Sequence, residues 1–320
     1  MIIPSRLEIA NLPTPLQKVI YNNKSFLIKR DDFTGLEFSG NKIRKLEYLL
    51  FDAKKKGAQY VITCGGEQSN HARATVAAAA SIGLKSKVLL WGNDRKTADG
   101  NLFLNKVFGA EIRYINKKEF LNVDELLNEE REAFSRKGIN SYIIPEGGSS
   151  SLGIWGYIKF LEELMPQVKT KIDGILTASG SGGTSAGLLI AAKLFKINIK
   201  IFAVNVLYEK NILKNRILSL AENCVRDFNL KVKLNENDIE IIEGYSEEGY
   251  KNITKDKISI INDFAQKSGI LFDPTYTGKA FFAYNDQFLN KSKSNIIFVH
   301  TGGLFGVFAK RKNYLDALND

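Results

Sequence analysis

Three segments of this 320-residue chain place glycine, small polar residues and cations at the openings of helices. Free backbone N–H groups at such positions bind anions. The densest segment is Ala178-Ser179-Gly180-Ser181-Gly182-Gly183-Thr184-Ser185-Ala186-Gly187, which follows a β-branched run and opens an apolar helical stretch. Its glycines let backbone N–H groups turn toward one centre, so a phosphate is the expected guest of this segment. A tight turn with no ligand is the plainer alternative. A nucleotide P-loop needs Lys after its last glycine, and none stands there. A dinucleotide loop fails too: counted from Gly180 its third position is Ser185, and the next strand ends near Asn205 rather than in an acid.

The second segment, Ser39-Gly40-Asn41-Lys42-Ile43-Arg44-Lys45, opens a helix with cations that oppose its dipole, each at roughly a few tenths of a kcal/mol. Alone it reads as a solvated face of a Lys-rich protein. Beside an independent phosphate loop, Lys42 becomes a candidate to form an imine while its neighbours hold the phosphate. The third segment, Gly65-Gly66-Glu67-Gln68-Ser69-Asn70-His71, leads into an Ala-rich helix. Ser69 or Asn70 caps that helix, and the free N–H groups suit a carboxylate; plain capping fits equally.

Elements that must position these segments alternate along the chain. Short β-branched runs at 60–63, 87–90, 111–114, 142–144, 174–177, 199–206 and 295–300 are separated by amphipathic stretches at 42–56, 69–82, 123–136, 184–195 and 258–267. Such alternation predicts an α/β fold, parallel sheet covered by helices, with ligands beyond the carboxyl ends of the strands. The stretch from 221 to 257 is charged, Asn-rich and uninformative.

Composition narrows the class. Apolar runs are far shorter than the roughly 20 residues of a membrane span, and no secretory signal is visible at the start. Cys64 and Cys224 are too few for a disulfide framework or a zinc site, so the cytoplasm is expected and no metal. The net charge of +10 is mostly scattered Lys, without the Arg and aromatic clustering of a nucleic-acid surface, and no nucleic-acid partner is expected. His71 and His300 are too few for a metal site, and His300 at a strand end reads as a hydrogen-bonded core residue.

Together the segments resemble the tryptophan-synthase-β-type (fold type II) family of pyridoxal phosphate enzymes, in the branch of 1-aminocyclopropane-1-carboxylate deaminase and D-cysteine desulfhydrase. The motifs that carry the resemblance are SGNKIRKLEYL, GGEQSNHAR, PEGGSSSLGIWGY, SGSGGTSAG, DPTYTGKA and HTGG, with LPTPL and KRDD near the start. They span nearly the whole chain. The resemblance implies two domains, each with a parallel-rich sheet flanked by helices: a large one from 1–45 and 151–320, and a small one from 46–150. Pyridoxal 5′-phosphate would lie in the cleft between them. It implies that Lys42 carries the cofactor and later moves protons at the substrate α-carbon, and that Lys45 and Gly180–Thr184 hold the phosphate. Asn70 would contact the phenolic oxygen, and Ser69, with Gln68 and Asn70, would meet the substrate opposite Lys42. Tyr250 and Tyr276 match the family's active-site tyrosines, though each fits ordinary packing as well. A homodimer is implied too.

The resemblance also bears on the reaction. The deaminase subgroup carries Glu after the DP-x-Y tyrosine and Leu after the late His, whereas this chain has Thr277 and Thr301, the desulfhydrase-like pattern. A hydroxyl at the pyridine nitrogen leaves a weaker electron sink than a carboxylate. That is enough for β-elimination, in which a good leaving group departs as the α-proton is removed. D-Cysteine is the expected substrate, yielding pyruvate, ammonia and sulfide. The alternatives are deamination of the cyclopropane amino acid, elimination from cysteate, β-chloroalanine or serine, and a non-catalytic amino-acid or cofactor-binding protein. Two departures from the branch are Trp155, expected to reshape the substrate pocket or an interface, and Lys251-Asn252-Ile253 in place of the usual Gly-x-Pro after Tyr250.

Overall fold

The computed structural model describes residues 2–94, 97–250, 252–291 and 295–318. Lys251, in the segment after Tyr250 that departs from the branch, lies outside them.

The chain opens with a hairpin, β1 (Leu16–Tyr21) and β2 (Lys24–Arg30), turned by Asn22 and Asn23 at φ 48° and 61°. Asparagine tolerates this left-handed pair, whose twist matches that of the flanking strands. Helix α1 (Lys42–Lys55) follows, then β3 (Tyr60–Gly66), α2 (Asn70–Ser81), β4 (Lys85–Trp91), α3 (Gly100–Val107), β5 (Glu111–Ile115), α4 (Val123–Ser135) and β6 (Ser141–Ile143). The four strands of this stretch form one parallel sheet in the order β5-β4-β3-β6.

The remaining elements are α5 (Trp155–Leu164), β7 (Gly174–Ser179), α6 (Gly183–Leu194), β8 (Lys200–Asn205), α7 (Lys210–Asp227), β9 (Ile239–Ile242), α8 (Lys255–Ser268), α9 (Thr277–Tyr284), β10 (Ile296–His300), α10 (Leu304–Phe308) and α11 (Arg311–Asp316). Their strands join the hairpin in a second sheet, ordered β1-β2-β10-β7-β8-β9, parallel except for the β1–β2 pair. Every residue of β7 and of β10 is buried, as expected for central strands covered on both faces. Helix α1 packs against both α2 and α5, so it lies between the layers of the two sheets.

The alternating pattern in the sequence locates most of these elements, but the hairpin and β9 were not among the expected strands. Trp155, expected to reshape the substrate pocket or an interface, stands in the core. It is buried at the start of α5, edge-to-face with Phe228 at 5.3 Å. Among the described residues no helix is long and apolar enough to cross a membrane, and no His/Cys/Asp/Glu group is arranged to hold a metal ion. Both cysteines are buried and unbridged.

Candidate active site

Lys42 stands at the first position of α1, half-buried, with Nζ 5.9 Å from the centre of the Tyr276 ring. Burial lowers its pKa to about 8; Glu146 and Asp273 oppose that shift and the charge of Arg73 adds to it. Two backbone devices fix the loop before it. Asn41 N donates to Thr301 O at 3.0 Å, and Gly40 and Gly302 approach so closely that a Cβ on Gly302 would lie 2.6 Å from the Gly40 Cα. The end of β10 is thereby held against the lysine loop.

Helix α1 is pinned from its other face. Arg44 donates from Nε and Nη2 to the two oxygens of Asp31 (2.9 and 2.8 Å) and from both terminal nitrogens to Glu163 (2.8 and 3.0 Å). Tyr157 and Thr14 donate to the same aspartate, and Lys29 donates to Glu163. Arg44 is therefore a structural anchor. Lys45 lies instead against the glycine-rich loop. Its buried Nζ reaches only Gly147 O at 3.2 Å and Ser149 Oγ at 3.4 Å, and no carboxylate pairs with it among the described residues. Burial, with the Lys42 charge added, pushes it well below the usual lysine range.

Around Lys45 the glycine-rich loop forms a cradle. Gly182 adopts φ 87° and starts α6, whose first N–H groups have no helical partner. A Cβ on Gly183 would lie 2.4 Å from Ser149 Oγ and 2.8 Å from Lys45 Nζ, and one on Gly147 would lie 2.1 Å from Ser181 Oγ. Ser181 and Ser149 share a 2.8 Å hydrogen bond, and Asn41 Nδ2 donates to Thr184 Oγ1 at 3.1 Å. A buried cation without an anion, hydroxyls and helix-opening N–H groups are the donor set a phosphate requires. The residues fit the group.

Across from α1, Ser69 caps α2, its Oγ accepting from Ala72 N at 3.2 Å. Asn70 accepts at Oδ1 from Asn101 Nδ2 (2.9 Å). Gln68, expected at the substrate, has its amide engaged within the protein: Nε2 donates to Asp99 O and Oε1 accepts from Asn101 N, both at 2.9 Å. Arg73, inside the quoted GGEQSNHAR motif but without an expected role, is buried and lowered to about 9 by that burial. His71 Nε2 lies 2.9 Å from Thr63 Oγ1, which gives its own proton to Ile144 O, so the imidazole is the donor. Burial and both lysines keep His71 neutral by lowering its pKa. His300 is a core residue as expected, accepting from Gly302 N and edge-on to Phe272.

The tyrosines meet. Tyr250 and Tyr276 place their hydroxyls 2.5 Å apart with rings at 78°. Burial raises the Tyr250 phenol to about 12 and pushes the Tyr276 phenol well above its ordinary value, so both stay protonated near neutrality. Tyr276 is set by Asp273, whose carboxylate accepts the backbone N–H groups of Thr275, Tyr276 and Thr277 at the opening of α9. Asp273 escaped the sequence reading, although Asp before a helix opening is a capping signal. Thr277 and Thr301 also come together, Oγ1 to Oγ1 at 3.1 Å, and Thr277 lies 3.1 Å from its acceptor Gly302 O.

A lysine at a helix start, a phosphate cradle facing it and paired hydroxyls beyond it agree with what comparison of the whole chain shows. The model of the pyridoxal-phosphate-dependent enzyme family matches residues 7–302. The chain belongs to that family. It is similar to a Thermotoga maritima protein provisionally named 1-aminocyclopropane-1-carboxylate deaminase, 40% identical over 96% of this chain and 99% of the relative. It is also similar to an Arabidopsis thaliana mitochondrial protein named bifunctional D-cysteine desulfhydrase/1-aminocyclopropane-1-carboxylate deaminase, 35% identical over 96% of this chain and 80% of that one. A crystal structure described as an ACC deaminase homologue superposes with a TM-score of 0.90 at 35% identity, covering 98% of this chain and 96% of the other. The α/β fold is thus that of a pyridoxal-phosphate enzyme, and the cofactor is pyridoxal phosphate.

Proposed function

We propose that the enzyme catalyses β-elimination from a small amino acid, with D-cysteine the favoured substrate and pyruvate, ammonia and sulfide the products. The observation that carries this reading is the Thr277–Thr301 hydroxyl pair, which offers the pyridine nitrogen a neutral partner where a carboxylate would make a stronger electron sink. When bound, pyridoxal phosphate supplies the electron sink for negative charge at the substrate α-carbon.

The protein's own residues do the rest. Lys42 anchors the cofactor and, as a neutral amine favoured by its lowered pKa, takes the α-proton. Lys45 and the Gly180–Thr184 cradle hold the phosphate. Ser69 and the opening of α2 receive the substrate carboxylate on the opposite face, with Asn70 at the phenolic oxygen. The Tyr250–Tyr276 pair, protonated on both members, bounds the side from which the thiolate leaves and assists from there. Closure of the two sheet layers over the substrate would exclude water. We read the protein as a cytoplasmic homodimer, a reading supported by the family resemblance and, for the compartment, by the two unbridged cysteines.

A second reading, deamination of 1-aminocyclopropane-1-carboxylate, is favoured by the names of the two relatives. Parallel assays separate them. Purified enzyme given D-cysteine, L-cysteate and the cyclopropane amino acid should release sulfide and pyruvate from the first faster than 2-oxobutyrate from the last. The reverse order would overturn the elimination reading.

A further inference from the structure

Beside the Ser69 cap, three side chains have hydrogen-bond directions that their chemistry fixes. Arg73 in α2 and Asn101 in the first turn of α3 are both fully buried. Arg73 donates through Nε to Asn101 Oδ1 at 3.1 Å, and through its terminal nitrogens to Glu37 O at 2.7 Å and Ser39 O at 3.0 Å. A guanidinium has no acceptor, so the amide oxygen of Asn101 must face it. The amide nitrogen then faces away, where it meets Gln68 O at 3.0 Å and Asn70 Oδ1 at 2.9 Å. Gln68 O can only accept, which fixes the same orientation a second time. Gln68 Oε1 also accepts from the backbone N of Asn101, which holds the opening of α3 in place without bearing on the amide. Asn70 is left with its Nδ2, for which the hydrogen bonds among the described residues include no acceptor.

We propose that Arg73 and Asn101 are positioning residues forming a one-way relay that presents Asn70 Nδ2–H as a fixed donor to the phenolic oxygen of the bound cofactor. The inference rests on the reading of Asn70 at that oxygen. Turning the Asn70 amide over would set its NH2 against that of Asn101 and its oxygen against an oxygen anion. The relay forbids both. No carboxylate pairs with Arg73 among the described residues, so its charge polarises both amides in the same sense and strengthens the terminal donor. Arg73 also stacks on Phe305 at 5.1 Å and holds the backbone of Ser39, three residues before Lys42, which ties the relay to the lysine loop.

The consequence is readable without turnover. A donor at the phenolic oxygen stabilises its negative charge most once the neighbouring imine nitrogen has lost its proton, so the relay lowers the pKa of the Lys42–cofactor linkage. Titration of the visible absorption of the cofactor-loaded protein measures that pKa. Asn70→Ala and Asn101→Ala should each raise it by about 1 pH unit. In the Asn70→Ala background, Asn101→Ala should then add almost nothing, because the two act through one bond. If Asn101→Ala does not fold, Asn101→Ser, which keeps an acceptor for Arg73 but is too short to reach Asn70, decides on the same criteria. An Asn101 variant that leaves the pKa unchanged, or shifts it equally in both backgrounds, overturns the relay alone. An unchanged pKa in Asn70→Ala overturns the reading of Asn70 and the relay with it.

Discussion

Lys42 and Lys45 stand one helical turn apart on α1, and no carboxylate forms an ion pair with either among the described residues. Each is held at a lowered pKa by burial, Lys42 at about 8. On the proposed function, the neutral amine of Lys42 is the nucleophile that captures the cofactor. Below about pH 8 its neutral fraction falls by about tenfold per pH unit, and above that value it is constant. The rate of cofactor loading into the cofactor-free protein, followed by stopped-flow absorbance, should therefore rise with pH and level off near 8. A plateau reached only above about pH 10, the ordinary lysine value, would show that burial does not tune this amine. Gly183 gives a steric prediction at the same scale. Ala is the better helix former, yet in Gly183→Ala the new methyl would enter the cradle against Ser149 Oγ and Lys45 Nζ. Cofactor affinity should fall by about tenfold or more, and an unchanged Kd by fluorescence titration would remove the cradle from this loop. At this scale the sequence showed the groups that break a local rule: cations opening a helix and glycines before one. Arg73 and Asn101 were hidden because their roles depend on partners distant in sequence, whereas Asp273 acts on its own neighbours and carried a local capping signal. Arg73 meets Ser39 and Asn101, and nothing local to either marks that contact.

Among the elements, α1 matters most, since a lysine at its first turn is only as well placed as the helix beneath it. The Arg44–Asp31–Glu163 cluster, with Lys29, Thr14 and Tyr157 attached, ties α1 to the end of β2 and to α5. Removing one partner of a buried pair strands the other charge, at a cost of about 3 to 5 kcal/mol. Asp31→Ala should lower the unfolding midpoint by several degrees and loosen cofactor binding, although Asp31 lies outside the cradle. A loss of stability below about 1 kcal/mol by denaturant titration would mean that the cluster does not anchor the helix. The legible elements were those carrying a strong periodic signal, such as β7, whose residues are all apolar or small and all buried. The β1–β2 hairpin is poorly legible because its strands mix charged and apolar residues, and Asn22-Asn23 is a weaker turn signal than Asn-Gly. β9 is short and sits in a charged, Asn-rich stretch without clear alternation.

For the whole molecule, an uncompensated buried lysine means that the cofactor-free protein keeps a free-energy cost that an anion relieves. Binding to the folded state alone stabilises by about 2.7 kcal/mol at one hundred times Kd. Cofactor should accordingly raise the melting temperature by a few degrees, and inorganic phosphate by less; Lys45→Ala should lose the phosphate effect. A melting curve indifferent to both ligands would contradict the cradle. The parallel architecture was legible because strand and helix patterns alternate, and the division at 1–45 with 151–320 and 46–150 came from the resemblance alone. The sheets draw on residues 16–30 with 174–300 and on 60–143, while α1 packs on both layers, and the proposed boundary between 45 and 46 falls inside that helix. Limited proteolysis of the loaded protein tests that boundary.

The central claim is that Lys42 carries pyridoxal phosphate and uses it for elimination. The most direct measurement is the absorption spectrum of purified protein loaded with cofactor, near 410–430 nm (about the band of a lysine-bound pyridoxal), followed by D-cysteine and assays for sulfide and pyruvate. The account predicts a band in the wild type that is absent in Lys42→Ala, and sulfide released in step with pyruvate. A protein that takes up no cofactor, or whose band survives Lys42→Ala, would contradict it.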